Sequence, residues 1–312
     1  MSKKKIFIVV GILVLGFLAL AIFGPKEKPP EDTSLNQPSV PITVSSAIVW
    51  QKCVPNEKTP CEVWVMNSDG TGAVNLTNNP AYDVDPQWSP DRSKIVFAST
   101  RANGNPDIYI MDPDGRNVTQ LTKDPGFETY ASFSPDGKQI VFSRGIKGKL
   151  QVHIMDVDGK NVRRLTDSSG EDEEPVFSPD GTKILFDSDR EGKFQLYIMN
   201  TNGTGEVRLT NSSGNDRYPA WSPDGKMIAF GSDRDGSNFE VYTINADGTG
   251  AKRLTNNKDF PDADPVWSPD GKVIMFTSAR DKNAEVYTMN ADGSNQKNLT
   301  RNPGAFEGGA DW

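Results

Sequence analysis

Residues 85–122 read DPQWSPDRSKIVFASTRANGNPDIYIMDPDGRNVTQLT, and the rest of the chain repeats this phrase. The phrase contains an aromatic residue followed by Ser-Pro-Asp, two short apolar runs, an Asp-x-Asp-Gly turn and a closing Leu-Thr. Four short runs within about 45 residues, separated by turn residues, are typical of one blade of a β-propeller. The aromatic residue marks the repeats at Trp88, Phe133, Phe177, Trp221 and Trp267, and once more at the final residue, Trp312.

Each repeat predicts four strands, which we label A to D. In the last full repeat, strand A ends at Trp267, strand B covers residues 274–276, strand C covers residues 285–289, and strand D lies at Leu299. The Ser-Pro-Asp-Gly between strands A and B predicts a tight turn, because proline fixes φ and glycine accepts a positive φ. No 3.6-residue period occurs after the N-terminal segment, so the sequence predicts an all-β chain.

The two ends of the chain carry complementary parts of one blade. Residues 48–50, 62–66 and 74–77 match strands B, C and D, but no aromatic-Ser-Pro step precedes them to supply strand A. Residues 309–312 match a strand A that nothing follows. We therefore expect six four-stranded blades, with the C-terminal strand joining the first blade, because an open ring would expose unpaired strand edges. The alternative is an open or seven-bladed ring that uses residues 40–45 as an extra strand.

The N-terminal segment predicts attachment to a membrane. Residues 1–24 place three lysines before an apolar run that is close to the roughly 20 residues needed to span a bilayer, and N-terminal lysines predict that this end stays in the cytoplasm. Residues 25–46 are rich in proline, serine and charge, which predicts a flexible tether. The propeller, residues 47–312, is then expected in the periplasm or the extracellular space. The alternative is a cleaved signal peptide and a secreted protein, because residues 19–21 (Ala-Leu-Ala) resemble a cleavage site.

The acidic charge of the chain narrows the range of binding partners. The formal net charge is −8, and three of the lysines precede the apolar run, so the propeller is more acidic than the whole chain. An acidic surface argues against nucleic acid and favours basic or neutral partners.

The only two cysteines, Cys53 and Cys61, lie between strands B and C of the first blade. In an oxidising compartment this pair predicts a structural disulfide, whereas two thiols without a nearby histidine are too few ligands for a metal.

Strand direction sorts the connections onto two faces of the ring. Strands A and C run one way and strands B and D the other. The A-to-B and C-to-D turns therefore share one face, which we call the turn face, and the B-to-C and D-to-A connections share the opposite face, which we call the loop face. The turns are nearly identical in every repeat, whereas the loops vary. Variable loops on a rigid scaffold usually carry binding, so we expect function on the loop face.

A carboxylate lies five residues before the aromatic of every strand A. These six acids can form an acidic ring at the channel mouth that holds a divalent cation or a basic side chain of a partner. The alternative, which we favour, is an ion pair within each blade, because an arginine follows strand B in four blades and arginine matches carboxylates geometrically. The ring acids are Asp83, Glu128, Asp172, Asp216, Asp262 and Glu307, the arginines are Arg101, Arg190, Arg234 and Arg280, and the acids expected to be unpaired are Glu128 and Glu307.

Aromatic and charged residues surround this ring in the variable loops. We expect them to form a partner-binding rim, since tyrosine and arginine are enriched among residues that carry binding energy. The alternative is that the aromatic side chains pack the channel entrance. The candidate rim residues are Tyr82, Phe127, Tyr130, Glu171, Glu173, Glu174, Arg217, Tyr218, Phe260 and Phe306.

Residues suited to catalysis are scarce. The single histidine, His153, takes the strand C position that holds a tryptophan or tyrosine in the other blades, which indicates a packing role. No Gly-x-Ser-x-Gly elbow, phosphate-binding loop or dinucleotide fingerprint occurs. We therefore expect no catalytic residue, no resident metal and no cofactor. The principal rival is a metal-dependent polysaccharide lyase or glycan-processing enzyme that uses the acidic ring.

The repeated phrase resembles the TolB-type β-propeller repeat over residues 47–312. The resemblance is carried by residues 221–225 (WSPDG), 232–234 (SDR), 245–248 (NADG) and 254–255 (LT), with counterparts in every blade. Because the motifs repeat, the resemblance is highly specific for the fold. It is less specific for function, since peptidases and pectate-degrading lyases also carry this kind of blade.

The resemblance to TolB-type proteins implies a periplasmic propeller that binds a peptidoglycan-associated lipoprotein. Those proteins place an α/β domain ahead of the propeller, and this sequence departs from that pattern with an apolar segment and a tether. Resemblance to the lyases implies a metal held largely by histidines, which a single histidine does not supply. We predict a monomeric, membrane-tethered propeller that binds an envelope protein or peptide through its loop face without catalysis. A further alternative is a scaffold or sensor subunit of a cell-envelope complex.

Overall fold

The computed structural model describes residues 44–54, 61–146, 148–236 and 238–312. Apart from one 3-10 turn at Val44–Ser46, every regular element in these residues is a strand. The strands form six four-stranded antiparallel sheets, so the predicted six-bladed, all-β propeller is confirmed. The predicted anchor and most of the predicted tether lie outside the described residues. Within the described part of the chain, no helix has the length and apolarity needed to cross a bilayer.

The blades are numbered along the chain, and each sheet runs from strand A at the ring axis to strand D at the periphery. Blade 1 contains β24 (Phe306–Asp311), β1 (Ala47–Cys53), β2 (Cys61–Asn67) and β3 (Val74–Asn75), and blade 2 contains β4 (Asp83–Trp88), β5 (Ile95–Ser99), β6 (Asp107–Met111) and β7 (Thr119–Gln120). Blade 3 contains β8 (Glu128–Phe133), β9 (Gln139–Ile146), β10 (Lys149–Asp156) and β11 (Arg163–Arg164), and blade 4 contains β12 (Asp172–Phe177), β13 (Lys183–Ser188), β14 (Gln195–Asn200) and β15 (Val207–Arg208). Blade 5 contains β16 (Asp216–Trp221), β17 (Met227–Ser232), β18 (Glu240–Asn245) and β19 (Lys252–Arg253), and blade 6 contains β20 (Asp262–Trp267), β21 (Val273–Ser278), β22 (Glu285–Asn290) and β23 (Lys297–Asn298).

The core consists of apolar layers between neighbouring blades. Five blades place a phenylalanine at the centre of strand B with at most 1 % of its surface exposed. Each ring lies 5.7 or 5.8 Å from an aromatic ring of strand C, and in blade 3 that partner is His153, as predicted for a packing residue. The five residues are Phe97, Phe142, Phe186, Phe230 and Phe276.

The first and last strands of the propeller meet in blade 1, where β24 pairs antiparallel with β1. Trp312 packs in a cluster with Ile48 and Trp50 of β1 and with Met275 of blade 6. The Asp311 carboxylate also accepts a hydrogen bond of 2.9 Å from the backbone N–H of Trp88 in blade 2. The last strand therefore contacts both neighbouring blades as well as its own, which is the closure that the sequence predicts.

Every strand A carries a β-bulge, which is visible as a shift in its register with strand B. The bulge residue lies two positions after the ring acid. Its φ lies between 52° and 59° in all six blades. Only glycine adopts this left-handed region without strain. The five non-glycine residues at this position therefore carry backbone strain, and the strain recurs at the same place in five blades. The six bulge residues are Asp85, Tyr130, Glu174, Tyr218, Asp264 and Gly309.

Candidate functional site: the acidic central cavity

A cavity of about 390 Å³ lies along the ring axis, between the A strands of the six blades. At the loop face its wall includes Cys61 and Tyr82, and at the turn face it includes Pro179 and Trp221. All six bulge residues contribute to the wall. A bulge re-aims the side chain it carries, and here the same bulge in every blade brings six side-chain positions to one axis.

The cavity wall is acidic. Five carboxyl groups and no lysine or arginine occur among the described residues that line it. Toward the turn face the wall becomes apolar, with Val176, Ala220 and Val266 on three neighbouring blades. Such a cavity attracts cations and can also accommodate an apolar stem. The five acids are Asp85, Glu174, Asp264, Glu307 and Asp311.

Enclosure by the ring raises the pKa of these acids, because it removes the water that stabilises the charged form. Burial raises the pKa of Asp85 to about 6, although the Thr129 hydroxyl donates a hydrogen bond of 2.6 Å to it. Burial likewise raises the pKa of Asp311 to about 6 against its hydrogen bond from the Trp88 N–H. For Glu174, burial and a neighbouring carboxylate raise the pKa well above its usual range. At neutral pH Asp85 and Asp311 are mostly ionised, so the cavity carries negative charge.

One side of the cavity is backed by a buried ion cluster around Arg217. Its guanidinium contacts Glu173 at 2.6 Å, Asp187 at 3.2 Å and Glu174 at 3.7 Å, and it lies 3.9 Å from the centre of the Phe194 ring. Only 3 % of the Arg217 side chain is exposed. Arg217 is therefore not the exposed rim residue that the sequence analysis expects, because three carboxylates of neighbouring strands hold it inside the ring.

All six ring acids are buried, with at most 3 % of each residue exposed, and each has a basic partner. The in-blade ion pair that the sequence analysis favours is present in the four blades where it was expected. The distances are 3.1 Å for Arg101–Asp83, 2.7 Å for Arg190–Asp172, 2.8 Å for Arg234–Asp216 and 2.7 Å for Arg280–Asp262.

The expectation that Glu128 and Glu307 are unpaired is wrong. Arg144 lies directly opposite Glu128 in the β8–β9 register, and its Nε is 2.9 Å from the carboxylate. Lys52 lies opposite Glu307 in the β1–β24 register, with its Nζ 3.8 Å away. In these blades a strand residue supplies the positive charge that the loop after strand B supplies elsewhere.

The candidate rim aromatics fall into two groups. Tyr82, Tyr130 and Tyr218 line the cavity, whereas Phe127, Phe260 and Phe306 are half-buried outside its wall. Tyr218 is 7 % exposed and packs edge-on against Phe239, with ring centres 5.7 Å apart, which agrees with the packing alternative for this residue. A binding role for the other rim residues stays a prediction.

The predicted disulfide is present at the loop-face end of the cavity. Cys53 and Cys61 face each other across the β1–β2 pair and are joined by a 2.05 Å S–S bond. Within the described ranges of the chain, no three histidine, cysteine or carboxylate side chains are grouped closely enough to hold a metal ion.

A comparison with known protein families matches the TolB beta propeller domain to residues 100–166, 122–214, 193–255 and 208–310. The chain belongs to the TolB β-propeller family. Among solved structures, TolB from Acinetobacter baumannii aligns with a TM-score of 0.77 at 26% identity, over 88% of this chain and 68% of that one. A comparison with curated proteins found no match.

Two further structures show the fold alone, because their identity to this TolB-family chain is low. Putative TolB from Agrobacterium tumefaciens aligns with a TM-score of 0.65 at 22% identity, over 81% of this chain and 88% of that one. Oligogalacturonate lyase in complex with manganese aligns with a TM-score of 0.57 at 15% identity, over 79% of this chain and 75% of that one.

The predicted site of this TolB-family propeller omits Asp85, Asp264 and Asp311. A partial signal is present in the sequence, since the third residue of strand A is acidic or a tyrosine in five blades and precedes proline in four. Simple strand alternation cannot give the direction of this side chain, because the bulge shifts the alternation by one residue. Asp311 joins the cavity only through closure of the ring.

Proposed function

We propose that this protein is a non-catalytic, membrane-tethered binding propeller of the cell envelope, which receives a basic segment of a partner protein or peptide at its loop face. One observation carries the proposal: five carboxyl groups line the cavity, and no basic side chain occurs among the described lining residues. A lysine or arginine side chain, or a free N-terminal amine, would neutralise this charge in an enclosed space where electrostatic attraction is stronger than in water.

The surroundings of the cavity support a peptide rather than an isolated ion. Tyr82 and Tyr130 line the wall beside the carboxylates, and tyrosine offers a large, rigid contact area together with a hydroxyl group. The apolar wall toward the turn face suits the methylene stem of a basic side chain. Membership of the TolB family supports a periplasmic location, and the apolar segment at residues 1–24 supports the tether.

Calorimetric titration with synthetic peptides tests this proposal. The peptides share one sequence and differ only in carrying lysine, arginine or glutamate at the central position. We expect binding of the basic peptides only, and a loss of at least about tenfold in affinity in the double variant Asp85→Asn/Asp264→Asn, since the buried charge interaction that this variant removes contributes more than about 1.4 kcal/mol in all. The matched control is Asp270→Asn, an exposed acid on the turn face, which should bind like the parent.

The pH dependence of binding gives an independent check. The pKa of Asp85 and that of Asp311 lie at about 6, so both groups gain protons as the pH falls from 7 to 5. Affinity for a basic peptide should fall over this range. Binding that is unchanged by pH and by the double variant would refute the proposed mode of recognition.

The lyase alternative predicts different outcomes from a titration with manganese. It requires stoichiometric metal binding that is lost when Glu128 and Glu307 are replaced, together with cleavage of an acidic polysaccharide. Our proposal predicts neither result, and the ion pairs of Glu128 with Arg144 and of Glu307 with Lys52 leave these acids little freedom to bind a metal. Affinity capture from envelope extracts, with the Asp85→Asn/Asp264→Asn variant as the control bait, would identify the partner.

A further inference from the structure

A second layer of buried side chains lies against the ring acids at the junctions between blades. Each comes from strand C of the preceding blade, and each is at most 4 % exposed. The side chain is a carboxylic acid at four junctions and a glutamine at two. The acids are Glu62, Asp107, Glu240 and Glu285, and the glutamines are Gln151 and Gln195.

The two kinds of junction differ in their charge balance. At the junction of Gln151 with Asp172, the ring carboxylate is paired with the guanidinium of Arg190 at 2.7 Å, and the neutral Gln151 amide oxygen accepts a hydrogen bond of 3.0 Å from Arg164. At the two carboxyl junctions that flank blade 2, two ionised acids would share one cation, Arg101 or Arg144, and leave an excess negative charge in a buried site. At the junction of Glu240 a second cation is present, because Arg253 lies 2.7 Å from Glu240. Burying an unbalanced charge is expensive, and a carboxyl group avoids this by keeping its proton.

At the junction between blades 2 and 3, Asp107 and Glu128 are both fully buried, and the guanidinium of Arg144 lies 2.9 Å from Glu128. Two buried carboxylates beside one cation repel each other unless one of them is protonated. Arg144 does not fully compensate the pair, because it also contacts Asp124 at 2.7 Å. Burial, with Asp107 contributing, raises the pKa of Glu128 to about 7.

The remaining polar groups around this pair are neutral donors. They are Thr122, whose hydroxyl is 3.2 Å from Glu128, Gln120, whose amide is 3.0 Å from Asp107, and Asn103, whose amide is 3.4 Å from Asp107.

The junction between blades 1 and 2 has the same composition. The Thr77 hydroxyl donates to Glu62 at 2.6 Å, and Asn79 links the two acids, with its backbone N–H 3.1 Å from Glu62 and its side-chain amide 2.5 Å from Asp83. The charged groups that face the pair are Arg101, which is engaged by Asp83, and Lys52 on the paired strand β1, which is engaged by Glu307. Burial, with Asp83 contributing, raises the pKa of Glu62 to about 7.

We propose that the two carboxyl junctions that flank blade 2 hold a shared proton at neutral pH and act as pH-sensitive latches between neighbouring blades at the loop face. Below the unfolded-state pKa of about 4.5 the latch groups are protonated whether the protein is folded or not, and the latch is fully closed. As the pH rises through about 7 the folded protein loses the proton, two carboxylates repel each other, and the junction weakens. The glutamine junctions between blades 3, 4 and 5 keep their charge balance as the pH rises, because the glutamine side chain does not titrate.

Thermal unfolding of the full chain between pH 5.5 and 8.5 tests the latch. We expect the melting temperature to fall as the pH rises, and the fall to be smaller in Glu62→Gln and Asp107→Asn, which convert carboxyl junctions into amide junctions. The reverse variant, Gln195→Glu, should make the fall steeper. A group that titrates at about 7 when folded and at 4.5 when unfolded changes the folding equilibrium by about 30-fold over this range. Asp270→Asn serves as the matched control, because this acid is exposed on the turn face.

Equal pH dependence in the parent, the two amide variants and Gln195→Glu would overturn the proposal. If an amide variant does not fold, hydrogen exchange of the parent decides the question. After correction for the intrinsic effect of pH on exchange, amides of β4 and β8 should lose protection between pH 6 and 8, whereas amides of β12 and β16 should not. Uniform protection at all four strands would refute the latch.

Discussion

Removal of residues 309–312 tests the closure of the ring most directly. The deletion removes the Gly309 N–H that bonds to Asp264 at 3.0 Å and the Asp311 carboxylate that bonds to the Trp88 N–H at 2.9 Å. It also removes the Trp312 side chain from its cluster with β1 and blade 6. Each hydrogen bond contributes about 1 kcal/mol, and loss of the large, partly buried indole contributes about 3 kcal/mol, so the deletion should destabilise the protein by about 5 kcal/mol.

A loss of this size is a large share of the roughly 5–15 kcal/mol that stabilises a typical folded domain. For a domain of this length, 1 kcal/mol corresponds to about 2–4 °C, so the melting temperature should fall by about 10–20 °C when followed by circular dichroism. The matched control is Trp267→Ala. Trp267 has the equivalent place in blade 6, where the chain continues into strand B, so this variant loses packing but keeps the ring closed. A truncated protein that melts within about 2 °C of the parent would refute the closure argument.

Three further predictions concern the ion pairs, the disulfide and the histidine. Arg234→Ala leaves a buried ring carboxylate unpaired and should cost about 3–5 kcal/mol in denaturant unfolding, whereas Lys226→Ala, which removes an exposed pair of 3.5 Å, should change stability by less than about 1 kcal/mol. Replacement of Cys53 and Cys61 by serine opens a loop with a sequence separation of 8. This should lower the unfolding free energy by about 2–3 kcal/mol in the chain-entropy description. Equal stability of the parent with and without reductant would contradict this. Burial lowers the pKa of His153 to about 4, so its NMR ring resonances should not titrate between pH 5 and 8, and a midpoint near 6.5 would show that the ring is exposed.

The architecture could be predicted from sequence because it depends on counting and on local chemistry. The Ser-Pro-Asp-Gly turn recurs at a fixed spacing, and its residue types suit a tight turn wherever they occur. The missing strand A of the first repeat and the surplus strand at residues 309–312 together define the closure. The disulfide follows in the same way, because Cys53 and Cys61 flank one hairpin of a domain that the sequence predicts to be exported.

The chemistry of the cavity depends on register, which a linear pattern does not contain. Asp85 and Asp264 are 179 residues apart and share one cavity wall because the ring closes and because each strand A bulges at the same point. The partners of Glu128 and Glu307 are set by cross-strand alignment with Arg144 and Lys52. The sequence by itself therefore determined the number of blades, their strands and their closure, since each blade repeats the same turn and strand residues. Only the tertiary structure decided which charges are neutralised and which face the axis, because a shift of one residue in a strand turns its side chain to the other side.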